Sequence, residues 1–200
     1  MLVRKKKDEE QSQAKLVAYT IILYICSFIL PFVFVATFQS TVYFSRDYWF
    51  FSTPFSAYTT FMGGMLYIAI VFTLYLIFKQ IWESVKIKWL TGILLLASIP
   101  AFILSLTNYY YLDDSGIHYN SLKGLEETVY SWKDINKVHI VYRNHQGTTS
   151  LYQYNFEMES GDKVTIPFDD KLAEYKYKLD AIIKGNKIPV EDNFKHPIVD

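Results

Sequence analysis

The sequence predicts three membrane-spanning helices followed by a small antiparallel β-domain closed by one C-terminal helix. Uncharged stretches run from Leu16 to Ser45, from Tyr48 to Phe78 and from Trp89 to Leu112. Beyond residue 112 the apolar residues recur with a period of two, the signature of half-buried strands. A last apolar stripe returns to helical spacing between Leu172 and Ile183.

Each uncharged stretch exceeds the roughly 20 residues that cross a hydrocarbon core of about 30 Å. The spans are placed at 16–38, 58–78 and 89–108. In lipid the backbone must satisfy its own polar groups, so these segments should be helical. Pro31 and Pro100 fall inside the first and third spans, where a kink is tolerated and the freed carbonyls point to local packing. Arg4, Lys5, Lys6 and Lys7 precede an apolar run too long for a signal-peptide core and without a small-residue cleavage site, which reads as an uncleaved signal anchor.

Formal net charge is zero, but residues 1–112 carry nine Lys/Arg against five Asp/Glu, and residues 113–200 eleven against fifteen. No basic surface suited to phosphates is suggested, so nucleic acid is not an expected partner. Positive charge near the span ends sets orientation. The tail of residues 1–15 and the second loop (Lys79, Lys86, Lys88) are basic. The first loop has only Arg46, and the fifteen residues after the third span only Lys123. The expectation is a cell-membrane protein with its N-terminus cytoplasmic and its C-terminal domain extracytoplasmic.

Cys26 is the single cysteine and lies in an apolar run, so no intrachain disulfide and no cysteine-based zinc site can form. The aromatic first loop offers Tyr48, Trp49, Phe50 and Phe51 as anchors at the headgroup boundary, or as a ligand-binding cluster. No charged residue lies within a span, where it would mark an ion pathway. Small residues recur at four-residue spacing, as Ser56, Thr60 and Gly64 in the second span and Ala97, Ala101 and Ser105 in the third. Such stripes let helices approach closely, either within one bundle or between chains as a homo- or hetero-oligomer.

In the C-terminal part, turns are expected at Asp113–Gly116 and around Lys123–Gly124. The stretch "YQYNFEMES" places Tyr152, Tyr154, Phe156 and Met158 inward; Gly161-Asp162 turns the chain, and Val164, Ile166 and Phe168 line the next inward face. Asp169 or Asp170 caps a helix that ends at Gly185 and Asn186. Residues 187–200 read as a loosely ordered tail. His118, His139, His145 and His196 show no metal-ligand spacing, and the paired acids at 113–114, 126–127 and 169–170 make no dyad, since neighbours on a strand point to opposite faces. No catalytic residues, metal site or cofactor site are expected, and no phosphate loop or nucleophile elbow is present.

The stretches "DDSGIHYNSLKG", "TVYSWKDINKVHI" and "GDKVTIPF", with the closing helix, resemble the pleckstrin-homology-like (PH-like) barrel of bacterial membrane proteins. In that family a strand leads through a Trp-x-Asp-Ile turn into the next, and a Gly-Asp hairpin precedes the last strand; Trp132, Asp134, Ile135 and Gly161 match. The resemblance covers about 80 of the 200 residues and implies a PH-like domain over 109–186. Eukaryotic relatives bind inositol phosphates through cations on the first two strands and their loop. Here that loop is Asp-Asp-Ser-Gly, acidic where a phosphate needs cations, so this function does not carry over. What the resemblance implies is a module for contacts with proteins, peptides or the membrane surface. Two functions compete. One is a membrane-anchored, non-enzymatic binding or regulatory module with an unknown protein or peptide partner beside the lipid bilayer. The other is a membrane-complex subunit, or transport and permeation accessory, in which the helices carry the function.

Overall fold

The structure, a computed structural model, describes residues 2–81 and 85–199, without the side chains of 2–10 and 80. The side chains of Arg4, Lys5, Lys6 and Lys7 therefore lie outside the described ones. In chain order the elements are α1 (Leu2–Val42), β1 (Phe50–Ser52), α2 (Phe55–Ile81), α3 (Val85–Leu96), α4 (Ile99–Thr107), β2 (Tyr110–Leu112), β3 (Gly116–Asn120) and β4 (Glu127–Ser131). A single 3-10 turn (Trp132–Asp134) follows, then β5 (Ile135–His145), β6 (Thr148–Met158), β7 (Lys163–Pro167), α5 (Asp170–Gly185), β8 (Val190–Asp192) and β9 (Ile198–Val199). They divide into two compact units, one of Met1–Phe44, Ser52–Tyr109 and Asn120–Glu126, the other of Ser45–Phe51, Tyr110–Tyr119 and Glu127–Asp200.

The first unit is helical. Three segments, Gln11–Val42, Phe55–Lys79 and Val85–Thr107, are long and apolar enough to cross a membrane, and they contain the three expected spans almost entirely. Val35, Ala57, Phe61 and Met65 form the centre, with Leu23, Cys26, Tyr58, Phe102 and Leu106 packed around it. Many other apolar side chains, among them Ile25, Val33, Trp89 and Ile93, are exposed, a surface compatible with contact to lipid. The two prolines act differently. α1 runs through Pro31. The third segment breaks into α3 and α4 just before Pro100, whose ring crowds the carbonyl four residues back and which supplies no N–H. Ser98 Oγ donates to Leu95 O at 2.7 Å at that break.

The polar groups left by α4 meet Gln39, a side chain of zero exposure. Its Nε2, with two hydrogens to give, lies within hydrogen-bond distance of Ser105 O (3.1 Å), Leu106 O (3.2 Å) and Asn108 O (2.9 Å), and its Oε1 accepts from Thr53 Oγ1 at 2.7 Å. Carbonyls at a helix end lack intrahelical partners, and in apolar surroundings leaving them unmet is costly. Gln39 lessens that cost for Leu106 and Asn108, while Ser105 O also accepts from the Asn108 amide at 3.4 Å.

The second unit is built of strands and α5. Its strands form two sheets, in the orders β1-β2-β3-β4 and β7-β6-β5-β8, with β9 also beside β5. Hydrogen bonding does not close the described strands into one barrel, so the expected barrel is here two sheets sharing a core. Leu112, Ile117, Trp132, Val138, Tyr154, Phe156, Ile166, Leu172 and Leu179 form that core. Asp169 is the helix cap, its side chain accepting from the Leu172 amide at 2.8 Å.

Two departures from simple alternation have one cause. β5 and β6 pair antiparallel with register shifts between Ile135 and Lys137 and between Val141 and Tyr142. An extra residue on one strand reverses the phase of everything beyond it. Ile135 and Val138 are thus both buried, although three apart, and Leu151 replaces Tyr152 against the core, leaving Tyr152 exposed. The tail also differs from expectation: instead of lying loose, β8 and β9 pair parallel with β5, Val190 opposite Val138 and Ile198 opposite Arg143. Asn193 bridges them, accepting from the Tyr142 amide at 2.6 Å and donating to Tyr142 O at 3.1 Å.

Candidate functional site

The aromatic residues of the first loop belong to the second unit. The Trp49 amide donates to Leu112 O at 3.2 Å, and β1 becomes the edge strand beside β2. Phe50 and Phe51 are buried, Phe50 within the core. Tyr48 stacks on Tyr111 at 3.7 Å between ring centroids, and Trp49 lies under the Lys178 ammonium at 5.2 Å. These rings have protein partners that the sequence did not signal, because the strand they pair with lies some 60 residues on.

Inside the first unit the small-residue stripes of α2 and α4 are contacted by their neighbours on the facing helix rather than by one another. Ser105 Oγ donates to Ala57 O at 2.7 Å, and Asn108 Nδ2 donates to Ser56 Oγ at 2.8 Å. A Cβ on Gly64 would stand 3.0 Å from the Phe102 ring. Thr60 and Ala101 are half-buried, whereas Ala97 is exposed.

The residues of the turn motif act together. Trp132 is buried and donates from Nε1 to Asp113 O at 2.9 Å; its amide donates to Ser115 O at 3.3 Å. Asp134 contributes its carbonyl, which accepts from the Glu159 amide at 2.9 Å, and Ile135 enters the core. Gly161 turns the β6–β7 hairpin at φ +88°. The Asp113–Gly116 turn and the Trp132 turn are therefore pinned to one another.

A polar cluster surrounds His118, which is nearly buried. Its Nδ1 lies 2.8 Å from Glu127 Oε1, and its Nε2 lies 3.2 Å from Asp113 Oδ2 and 3.1 Å from Ser115 Oγ. Tyr111 stacks on the imidazole and donates to Glu127 Oε1 at 2.9 Å. Burial and that acceptor push the Tyr111 phenol well above its usual range. Burial works to raise Asp113, but the Ser115 hydroxyl and the Gly116 and Ser115 amides outweigh it and hold the carboxyl below its usual range. Serine, histidine and glutamate here have the order of a nucleophile, a base and its orienter. The hydroxyl, however, donates to Asp113 Oδ1 at 2.6 Å, and each ring nitrogen faces a carboxylate. The hydrogen bonds thus close on themselves and secure β2, β3 and β4. Spacing in the sequence could not show this, since His118 and Glu127 lie on different strands.

A groove of about 460 Å³ opens between α5 and the β5–β6 hairpin. Ile140, Tyr142, Leu151, Ile183, Ile188 and Val190 form its apolar lining, and Lys176, Asp180, Lys184 and Lys187 its polar one. Asp180 is engaged: Lys176 Nζ pairs with its Oδ2 across one helical turn, and Tyr154 OH donates to its Oδ1 at 3.4 Å. Burial, followed by this carboxylate, pushes the Tyr154 phenol above its usual range. Lys184 and Lys187 have no carboxylate partner among the described residues. The volume falls in the range of small-ligand sites. Among the described residues no group of three or more His, Cys, Asp or Glu is placed to hold a metal ion.

A family model described as "Bacterial PH domain" fits residues 54–191, a stretch that holds α2, α3 and α4 as well as the strands from β2 to β8 and α5. No curated protein and no solved structure matches.

Proposed function

Because the chain belongs to the bacterial PH domain family, we propose that it is a membrane-anchored, non-enzymatic binding or regulatory module. In this reading the two sheets and α5 work as a PH-like barrel, and the three apolar helices hold it to the membrane. The observation that carries the reading is the groove beside α5, where apolar lining lies beside Lys184 and Lys187, exposed and without a carboxylate partner among the described residues. The His118 cluster supports it from the other side, since the Ser115 hydroxyl donates to Asp113 and both ring nitrogens of His118 face carboxylates. The charge asymmetry of the loops supports an extracytoplasmic position for the barrel and a cytoplasmic N-terminus.

Two measurements test it. With Cys26→Ser and Ser160→Cys in the exposed β6–β7 hairpin, an impermeant maleimide should label intact cells; labelling only after lysis would reverse the orientation. A photo-crosslinking amino acid at Tyr177 or Tyr152, both exposed on the second unit, should then give discrete protein adducts in cells. Adducts arising only from helix positions such as Ile25 or Ile93 would transfer the function to the bundle.

A further inference from the structure

The groove has a chemical polarity that narrows its occupant. Lys176, Asp180 and Lys184 recur every four residues along α5, so they share one face of the helix. The first two neutralise each other. Lys184 and Lys187 lie at the C-terminal end of α5 and beyond it, exposed and without an anionic partner among the described residues. Beside them Ile183 and Ile188 are buried, while Ile140, Tyr142 and Leu151 remain half-exposed. The ligand that complements this lining carries a negative charge at one end and an apolar body along the rest.

A peptide brings amide groups that need partners, and it usually finds them on a free strand edge. Both edges of the two long lining strands are taken, and β8, which contributes Val190, is an outer strand of only three residues that offers a peptide little edge. β5 pairs with β6 on one side and with β8 and β9 on the other; β6 pairs with β5 and β7. A ligand without a peptide backbone fits better. Resting on the binding-module reading above, we propose that this groove binds a single-chain anionic amphiphile of the fatty-acid class. Lys184 and Lys187 hold the carboxylate, and the alkyl body lies on Ile140, Leu151, Ile183 and Ile188.

The test uses the full chain in phosphatidylcholine nanodiscs and a ten-carbon carboxylate bearing a diazirine on its alkyl chain. Adducts mapped by mass spectrometry should fall within residues 140–151 and 179–190, and decanoate should compete for them while decanol does not. The double variant Lys184→Glu/Lys187→Glu should lower groove labelling at least about tenfold, the loss of two exposed charge pairs plus their reversal. Lys195→Glu, away from the groove lining, should leave labelling unchanged. Both lysines are exposed, so the double variant should fold; an unaltered urea transition of the second unit verifies this. The proposal is overturned by adducts confined to α1–α4, by equal competition from decanol, by full labelling of the double variant, or by a short acidic peptide displacing the probe at equal concentration. Crosslinks from Tyr177 do not depend on this probe, so the two readings fail separately.

Discussion

Gly116 is where the second unit tolerates least. A Cβ built there would stand 2.1 Å from Tyr130 O, 2.9 Å from Tyr130 C and 3.0 Å from Ser131 Cα. An ordinary carbon–oxygen contact needs about 3.3 Å, so Gly116→Ala must open β3 from β4 by roughly 1 Å. The neighbours are main chain and cannot rotate away. The same displacement strains the two bonds by which Trp132 grips the Asp113–Gly116 turn, to Ser115 O at 3.3 Å and to Asp113 O at 2.9 Å. Overpacking costs about 1–3 kcal/mol, and one or two weakened hydrogen bonds about 1 kcal/mol each. The expected loss is therefore about 3–4 kcal/mol, a large part of the 5–15 kcal/mol typical of a domain. Urea-dependent proteolysis of the full chain in nanodiscs measures it, and the midpoint should fall by more than about 1 M. Gly161→Ala is the comparison. That residue has φ +88° but nothing within 4 Å of the added atom, so only the backbone cost of about 1–2 kcal/mol applies. If Gly116→Ala proves no worse than Gly161→Ala, the close approach of β4 is not what demands glycine.

Gln39→Leu should destabilise the helical unit by about 2–3 kcal/mol, since the amide's two donations to the carbonyls at the end of α4 and the acceptor for Thr53 are lost in buried surroundings; thermal unfolding followed by helical circular dichroism in nanodiscs reads this, and Gln39→Glu should not restore it. Asn193→Ala should raise hydrogen exchange at the Tyr142 amide about tenfold, because the clamp between β8 and β9 is worth about one buried hydrogen bond at that site. Asp113 has a folded-state pKa below its ordinary value of 3.8, so it stabilises the fold fully above about pH 4 and loses that contribution as the pH falls through the lower folded value. Asp113→Asn should accordingly unfold at lower urea than the parent at pH 6–7 and converge on it toward pH 2.

The helical half was readable because its signal is long-range and redundant: some twenty consecutive uncharged residues leave few alternatives. Strands, turns and the α5 cap were readable from local chemistry, namely alternation, Gly-Asp and an Asp before an apolar stripe. What was not readable is what depends on pairing at a distance. β1 looked like a headgroup anchor because its partner β2 is supplied from beyond two spans. Tyr152 looked inward because a bulge leaves no trace in a period-two pattern until the facing strand is known. Residues 187–200 looked loose because their polar composition hides that Asn193 can mimic a strand's hydrogen bonds with its side chain.

The same limit governs function. The Ser115–His118–Glu127 constellation and the groove both draw residues from separate elements, so neither has a spacing that a sequence could display. They differ in what is left over. In the cluster every polar atom of His118 is met, and its hydrogen bonds are spent on holding β2, β3 and β4 together. In the groove Lys176 and Asp180 cancel, while Lys184 and Lys187 stay exposed beside half-covered apolar side chains. Recognition needs unspent interactions that are fixed in place beforehand. The buried core beneath Ile183 and Ile188 fixes the groove, and in the proposed reading the lysines, without a carboxylate partner among the described residues, supply the interaction. On the proposed reading, binding belongs beside α5 rather than at the histidine.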